Sequence, residues 1–518
     1  MIGNESSPNQ VMAISKVFQS CYEFIKYELT CAGHGIHMNN YLKERWTGEG
    51  GVREVLVLAF PLVLSTGSWS IQHFVDRMFL SWYSPETIAA AMPSGILNFA
   101  IMSLFIGTAS YVSTFVAQYN GADMQHRIGP AIWQGIHFSL IGGIFMLGFI
   151  PLARPIFDSV GHEQAIKVNE IIFFQYLCLG GFPVIASSVL SGFFTGLGRP
   201  WPVMWVNVLS TGVTLVLDYA MIFGNWGFPE MGMKGAAIAT VISGFFSLGA
   251  YIVLMARSSY NRDFQIFSGW RPDAELFRRL IKFGLPSGVQ FSLDMAGFTA
   301  FVLILGRLGK VNLAATNIAF NINTLAFMPM IGFGIAVSVL VGKYLGKGRP
   351  DIASRSTYSG FFMTFIYMSA IAVLYVTVPE IFTAPFAARS DAALFPEIKR
   401  LTEILLRFVA LYSIFDTMNI IFASALKGAG DTRFVMYMIV LVSAFVLVVP
   451  TYVLIMMLGY GIMAAWSVAT VYVILLGFMF LLRFLQGSWK GMRVIEEKSV
   501  IHLIPPVCSE CPDTKFEP

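Results

Sequence analysis

The chain has 518 residues, 56% of them hydrophobic and only 12% charged, with a formal net charge of +4. Soluble domains carry about 25% charged residues, and half that share cannot cover a water-soluble surface of this size. The composition therefore excludes a soluble enzyme or a nucleic-acid-binding domain and points to a chain that uses the lipid bilayer as its second solvent.

Residues 1–50 read as a cytoplasmic extension. Lys16, Glu23, Lys26 and Glu28 interrupt any apolar signal-peptide core, while Phe18, Tyr22, Ile25 and Leu29 recur at helical spacing. A bilayer core needs about 20 apolar residues in a helix. Twelve spans meet that measure: 54–82, 87–117, 127–151, 168–196, 201–223, 234–256, 276–305, 313–342, 354–378, 401–426, 433–457 and 460–484. Their connections are short and carry breakers such as Ser84-Pro85 and Gly198-Arg199-Pro200. The longest, 257–275, divides the spans into a first bundle over 51–256 and a second over 276–486, with a tail at 487–518. The five cysteines form no disulfide framework, and Cys508 and Cys511 in the tail make half of a metal site with no second pair. No cofactor is expected, and no metal beyond a coupling Na⁺.

Lys and Arg concentrate on the cytoplasmic side of membrane proteins. With both termini inside, the inner segments take the clear majority, from Lys43, Arg45 and Arg53 through Lys343, Lys347 and Arg349 to Lys490 and Arg493. The outer ones hold few, among them Arg154, Lys167 and Lys234. The halves are repeats. Pro61–Gly121 lies over Pro286–Gly346 at a constant offset of 225 residues, with identities at Ala89/Ala314, Asn98/Asn323, Gly107/Gly332, Ser113/Ser338 and Tyr119/Tyr344. Six spans per half insert both halves the same way up, so the expected fold is an all-α polytopic membrane protein, twelve transmembrane helices in two six-helix bundles related by a pseudo-two-fold axis along the membrane normal.

An ionisable group inside a membrane costs a few kcal/mol, about 2.5–3.5 on insertion scales, and needs a reason. Four carboxylates stand out within the spans: Asp76, Asp218, Asp294 and Asp416. Asp76, Asp218 and Thr240 all fall about 10 Å below the outer edge, from the 1.5 Å rise per residue, and all belong to the first half. Two carboxylates and a hydroxyl at one depth suit a hard cation such as Na⁺ or a shared proton. The alternative for Asp76 is pairing with Arg77, a poor geometry because adjacent helix residues point about 100° apart. Asp294 and Asp416 suit recognition of a cationic substrate or a second protonation site, the alternative being a partner such as Arg407. Gln72, one turn before Asp76, is a lining residue. His73 and His137 read as proton relays or, more commonly for a lone histidine in a bundle, as packing residues. Pro61 kinks the helix that carries Asp76. The chain holds no HExxH, GxxxxGK[ST] or GxSxG, so uphill transport would run on an ion gradient.

These residues bring a family into view. Across about residues 51–486 the chain resembles the multidrug and toxic compound extrusion (MATE) family. Pro61 with Phe74-Val75-Asp76, the run Val116 to Ala122, Gly235 to Thr240, Leu285-Pro286 followed by Asp294, and Asp416 with Ala425 to Thr432 are similar to its motifs. The resemblance implies a V-shaped cavity between two bundles and Na⁺ or H⁺ antiport of mainly cationic small organic compounds. It implies a cation site at Asp76, Asp218 and Thr240, and a further acidic site at Asp294 and Asp416. The chain departs from the pattern at Thr214, where the DinF-type branch has Asn. The expected protein is a secondary active transporter, monomeric, in the bacterial inner membrane. The alternative within transport is a flippase for a lipid-linked or polysaccharide precursor; its relatives line the cavity with basic groups, and the mid-span charges here are mostly acidic.

Overall fold

The computed structural model describes residues 43, 45–160, 162–256, 258–387 and 394–496. Residues 1–42 of the predicted extension, and Cys508 and Cys511, lie outside them. Among the described residues, eleven helices are long and apolar enough to cross a membrane, and a pair bent by 46° makes a twelfth span. This is a multi-pass membrane protein. The first bundle comprises α1 (Val52–Tyr83), α2 (Pro85–Ser110) continued by α3 (Val112–Gly121), α4 (Ile128–Gly148), a short α5 (Ala153–Val160), the bent pair α6 (Gln164–Leu179) and α7 (Gly181–Gly196), α8 (Trp201–Phe223) and α9 (Met233–Met255). After α10 (Ser258–Phe264), the second bundle follows with α11 (Ala274–Leu305), α12 (Lys310–Gly346), α13 (Pro350–Thr377), α14 (Pro379–Ala387), α15 (Phe395–Ala429), α16 (Thr432–Val442), α17 (Val449–Tyr452) and α18 (Ile462–Leu485). The end of the molecule where α1 begins and α18 finishes is here the near end; the opposite one is the far end.

Local chemistry sets the helix limits. Ser84 caps α2, its Oγ accepting from Thr87 N at 3.2 Å with Pro85 in the first turn. Asp273 caps α11, Oδ1 accepting from the amides of Glu275 and Leu276 at 3.0 Å. Gly224 closes α8 in the left-handed conformation at φ 70°. The predicted loop 257–275 carries α10 and a 3₁₀ turn at Ser268–Trp270. The predicted eleventh span is α16 and α17 joined and followed by π-helical turns at Ser443–Val448 and Val453–Met457, which flank Pro450. Proline removes one backbone donor, and the wider turns accommodate the loss.

The bundles meet through α1 on α12, α2 on α11 and α3 on α12. A side chain on Gly121 would fall on the Lys343 carbonyl, and one on Gly346 would fall on the Gln118 carbonyl. Gly121/Gly346 and Gln118/Lys343 are both repeat pairs at the offset of 225, so these are the same contact seen twice. Gly107 against Gly288 and Gly332 against Val63 repeat the relation nearer mid-depth. The internal sequence repeat thus appears in space as a pseudo-two-fold. Further cross-bundle bonds join Tyr111 Oη to the Lys427 carbonyl at 2.8 Å, Gln118 Nε2 to the Gly428 carbonyl at 3.1 Å and Ser292 Oγ to the Ala100 carbonyl at 2.9 Å. The first two lie toward the near end and the third at mid-depth, so the bundles are bonded to each other from the middle of the molecule to its near end.

Gly121→Val and Gly346→Val are expected to destabilise the detergent-solubilised protein by about 1–3 kcal/mol each, the usual range for overpacking. Gly67→Ala, with nothing within 4 Å of the added carbon, should leave the melting temperature unchanged. Equal melting temperatures for all three would contradict the reciprocal contact.

Candidate functional site

Helical periodicity gives α1 a polar face. It carries Ser65, Ser68, Gln72 and Asp76 toward α8, within the first bundle. On it, Asn207 Nδ2 donates to Ser65 Oγ, and Thr211 Oγ1 donates to Gln72 Oε1 at 3.4 Å. Asp218, one turn beyond Thr214 on α8, is fully buried, and it lies close enough to Asp76 for the two charges to interact. Asp76 Oδ1 and both Asp218 oxygens are buried and have no hydrogen-bond partner among the described residues. Toward the far end, Phe79 packs on Tyr219 and Phe223 at ring distances of 6.0 Å and covers the pair with aromatic surface.

The two predicted hydroxyls are directed elsewhere. Thr214 Oγ1 donates to the Ser210 carbonyl at 3.0 Å and Thr240 Oγ1 to the Ala236 carbonyl at 3.1 Å, each within its own helix. Below the carboxylates runs a polar column that sequence reasoning passed over. Ser210 Oγ and Ser243 Oγ are 2.6 Å apart, Ser247 Oγ donates to Ser210 Oγ at 2.7 Å, and Tyr251 Oη donates to Asn207 Oδ1 at 3.5 Å. The signal was present as spacing: Ser210, Thr214 and Asp218 on α8, and Ser243, Ser247 and Tyr251 on α9, recur every four residues along one helix face.

Three unpartnered carboxylate oxygens in a dry bundle are costly, and a single proton or small cation held between them removes most of that cost. Oxygen donors alone suit a hard cation rather than a transition metal. No group of three or more His, Cys, Asp or Glu residues positioned for a metal occurs among the described residues.

In the second bundle, Asp294 on α11 accepts from Gln290 Nε2 at 3.1 Å, and Asp416 on α15 accepts from Asn419 Nδ2 at 2.9 Å. The two aspartates are within electrostatic reach of each other, with Tyr412 and Tyr472 beside them. Among the described residues no ion pair joins Arg407 to Asp416, or Arg77 to Asp76. Lys427, at the near end of α15, interacts with Asp294. Glu170, at the start of α6, is a further fully buried carboxylate that the reading missed, with Oε1 2.8 Å from His162 Nδ1 and Oε2 unpartnered.

The remaining predicted residues divide between the two bundles' contact and simple packing. His73 is exposed and lies against Trp69 at 5.4 Å. Trp69, Phe99 and Phe291 then form an aromatic run from α1 through α2 to α11, with ring distances of 5.8 Å. His137 sits 3.5 Å from Gln134 Oε1 and beside Trp133, away from every carboxylate above. Pro61 is buried inside α1, which continues unbroken from Val52 to Tyr83. On the far half of α12, exposed Asn317, Asn321 and Thr324 occupy the positions that the repeat maps onto Met92, Ile96 and Phe99.

A family model described as MatE matches residues 61–220 and 286–454, more than half of the chain and one segment in each repeat. The chain belongs to the MatE family. It is 27% identical over 386 residues to a probable multidrug resistance protein NorM of Shewanella oneidensis, covering 74% of this chain and 83% of that one. It is 24% identical over 454 residues to a probable NorM of Thermotoga maritima, covering 87% and 96%. A multidrug resistance protein NorM of Burkholderia vietnamiensis is 29% identical over 380 residues, covering 73% and 81%. Among solved structures, a MOP superfamily transporter from Pyrococcus furiosus, described as having a binding pocket of reversed polarity, superposes with a TM-score of 0.76 at 19% identity. It covers 85% of this chain and 96% of that one. An outward-facing multidrug resistance MATE family transporter gives the same TM-score, identity and coverage. At these identities the structural matches establish the twelve-helix MatE fold.

Because the Asp218 carboxylate is sealed without partners, Asp218→Asn should raise stability in sodium-free buffer at alkaline pH, by about 1–3 kcal/mol, the penalty of an unmet buried polar group. Asn207→Leu, which strips the Ser65 and Tyr251 bonds, should lower it. A fall in melting temperature for Asp218→Asn would show that the carboxylate has partners in solution.

Proposed function

We propose that this MatE protein is a cation-coupled antiporter, driven by Na⁺ or H⁺, that exports small and mainly cationic organic compounds by alternating access between its two bundles. The observation that carries the reading is the set of three buried, unpartnered carboxylate oxygens on Asp76 and Asp218. A group in that condition calls for a proton or a cation, and its position inside the first bundle separates it from the contact between bundles. Occupying the pair changes the charge inside α1 and α8, and α1 is also a helix through which the first bundle meets the second. Charge in the pair and the relation of the bundles are therefore linked through one helix. The residues assigned to the cation are Asp76 and Asp218, with Thr214, one turn before Asp218 on α8, and Thr240 as further oxygen donors once they leave their own-helix carbonyls.

Substrate recognition is assigned to Asp294 and Asp416, with the run Trp69, Phe99 and Phe291 supplying flat apolar surface; Gln72, the other expected lining residue, accepts from Thr211 on the α8 side of α1. Aromatic faces and carboxylates together select organic cations. Relatives named as multidrug resistance proteins support export of such compounds. The near end is assigned to the cytoplasm, since Arg45, Arg53, Arg127, Arg199, Lys343, Lys347, Arg349, Arg483 and Lys490 gather there. The protein is read as a monomer in the bacterial inner membrane, with domains at 51–256 and 276–486.

Asp76→Asn should abolish the drug resistance conferred on a sensitive host while expression stays intact; resistance at the parent level would remove the cation assignment. Efflux from membrane vesicles under separate Na⁺ and pH gradients identifies the coupling ion, and efflux under neither would end the antiport reading. Asp294→Asn should alter which compounds are exported more than it alters ion dependence. Lost ion dependence with an unchanged range of compounds would reverse the two roles.

A further inference from the structure

Beyond α18 the chain does not simply leave the bundle. Trp489 is fully buried, stacks on Phe484 at 4.7 Å and donates Nε1–H to the Phe484 carbonyl at 2.8 Å. From this anchor the chain crosses the near end to the first bundle. Val494 and Ile495 are buried there in an apolar cluster with Phe115, Tyr119, Ile128 and Leu276. The Val494 amide donates to Gln118 Oε1 at 2.9 Å, and its carbonyl accepts from Arg279 Nη1 at 3.3 Å. Glu496 then accepts from Tyr119 Oη at 2.7 Å and from Arg127 Nε at 2.6 Å, with Arg279 at 3.9 Å.

The repeat gives these contacts their meaning. Tyr119 corresponds to Tyr344 at the offset of 225, and Tyr344 Oη donates to Glu54 Oε2 at 2.6 Å, while Lys343 Nζ meets Glu54 Oε1 at 2.9 Å. Glu54 on α1 thus holds the near end of α12, a carboxylate of one bundle on a tyrosine and a cation of the other. The position equivalent to Glu54 in the second half is Arg279; the carboxylates at the start of α11 are engaged elsewhere, Glu275 with Arg279 at 2.9 Å and Asp273 with Arg127 at 3.2 Å, and among the described residues neither bonds Tyr119. Glu496, tied to the second bundle through α18, provides a carboxylate from outside the repeat. Burial alone would raise the Glu496 pKa, but hydrogen bonds from Tyr119 and Arg127 outweigh it and hold the group below the usual carboxylate range. The charge is thus present above that lowered value and lost as pH falls through it.

We propose that Glu496 is a positioning residue of the transport cycle: the segment 488–496 supplies the carboxylate missing from the second repeat and completes a two-fold pair of tyrosine–carboxylate latches that hold the near end shut. The proposal rests on the alternating-access reading above, because separating the bundles at the near end breaks both latches, Glu54 on Tyr344 and Glu496 on Tyr119. It differs from a merely structural tether in one respect. A carboxylate placed on α11 where Glu54 stands on α1 can take over the role.

The test is hydrogen–deuterium exchange on the purified full chain, without substrate or gradient, in peptides covering 112–127 and 339–347. Glu496→Ala should speed exchange there about ten-fold, the effect of losing a charge-assisted hydrogen bond, with far-end peptides unchanged. Tyr119→Phe should act in the same direction and serves if Glu496→Ala proves unstable. Adding Arg279→Glu to Glu496→Ala should restore slow exchange, and in vesicles should restore the parent's balance between KM and maximal efflux rate. Unchanged exchange in Glu496→Ala and Tyr119→Phe, or failure of Arg279→Glu to rescue, overturns the latch. If exchange responds as stated while no gradient drives efflux, the latch stands and the antiport reading falls.

Discussion

Helices in a bilayer gain little by hiding apolar surface from one another, because lipid is as apolar as their partners; close approach must come from small residues that let backbones touch. The rest of this fold depends on that constraint. Gly121 on the Lys343 carbonyl and Gly346 on the Gln118 carbonyl bring α3 and α12 into backbone contact at the near end, and Gly107 with Gly288 does the same for α2 and α11. Because the pairs are related by the internal repeat, the contact is self-complementary. The two bundles can be rigid bodies that share one seam, and everything functional is arranged relative to it.

Away from the seam, each bundle keeps its own charged interior. The first holds Asp76 and Asp218 above a column of hydroxyls and under an aromatic cover of Phe79, Tyr219 and Phe223. The second holds Asp294 and Asp416, each tied to an amide on its own helix, with Lys427 as a nearby cation. The two sites differ in satisfaction rather than in composition. The first has carboxylate oxygens with nothing to bind, and the second has carboxylates already bonded and placed among tyrosines. That contrast is the physical basis for assigning an ion to one and an organic cation to the other.

Much of the architecture was legible in the residues. The twelve apolar runs and the offset from Pro61 to Pro286 follow from hydropathy and self-similarity, since insertion into lipid is governed by length and polarity. The depth shared by Asp76 and Asp218 followed from counting helix rise. What escaped depended on three dimensions. Ser210, Ser243 and Ser247 look ordinary one by one, and only the packing of α8 on α9 unites them. Thr240 matched in depth but turns to its own backbone, because a hydroxyl in a helix always has a carbonyl within reach. The interaction of Lys427 with Asp294 could not be read from sequence, because distance to the helix end does not reveal which way a long side chain runs. Glu496 lay beyond the last span, where hydropathy has nothing to say.

The eleventh span holds a different kind of information. A π turn fits one more residue into each circuit than the ladder around it, and here two such stretches, Ser443–Val448 and Val453–Met457, bracket Pro450. Ser443, the first of these residues, also stands against Gly297, one turn along α11 from Asp294. The second bundle therefore carries spare chain length beside its acidic pair, which a slide of hydrogen-bond register can take up or release while both ends of the span stay where they are.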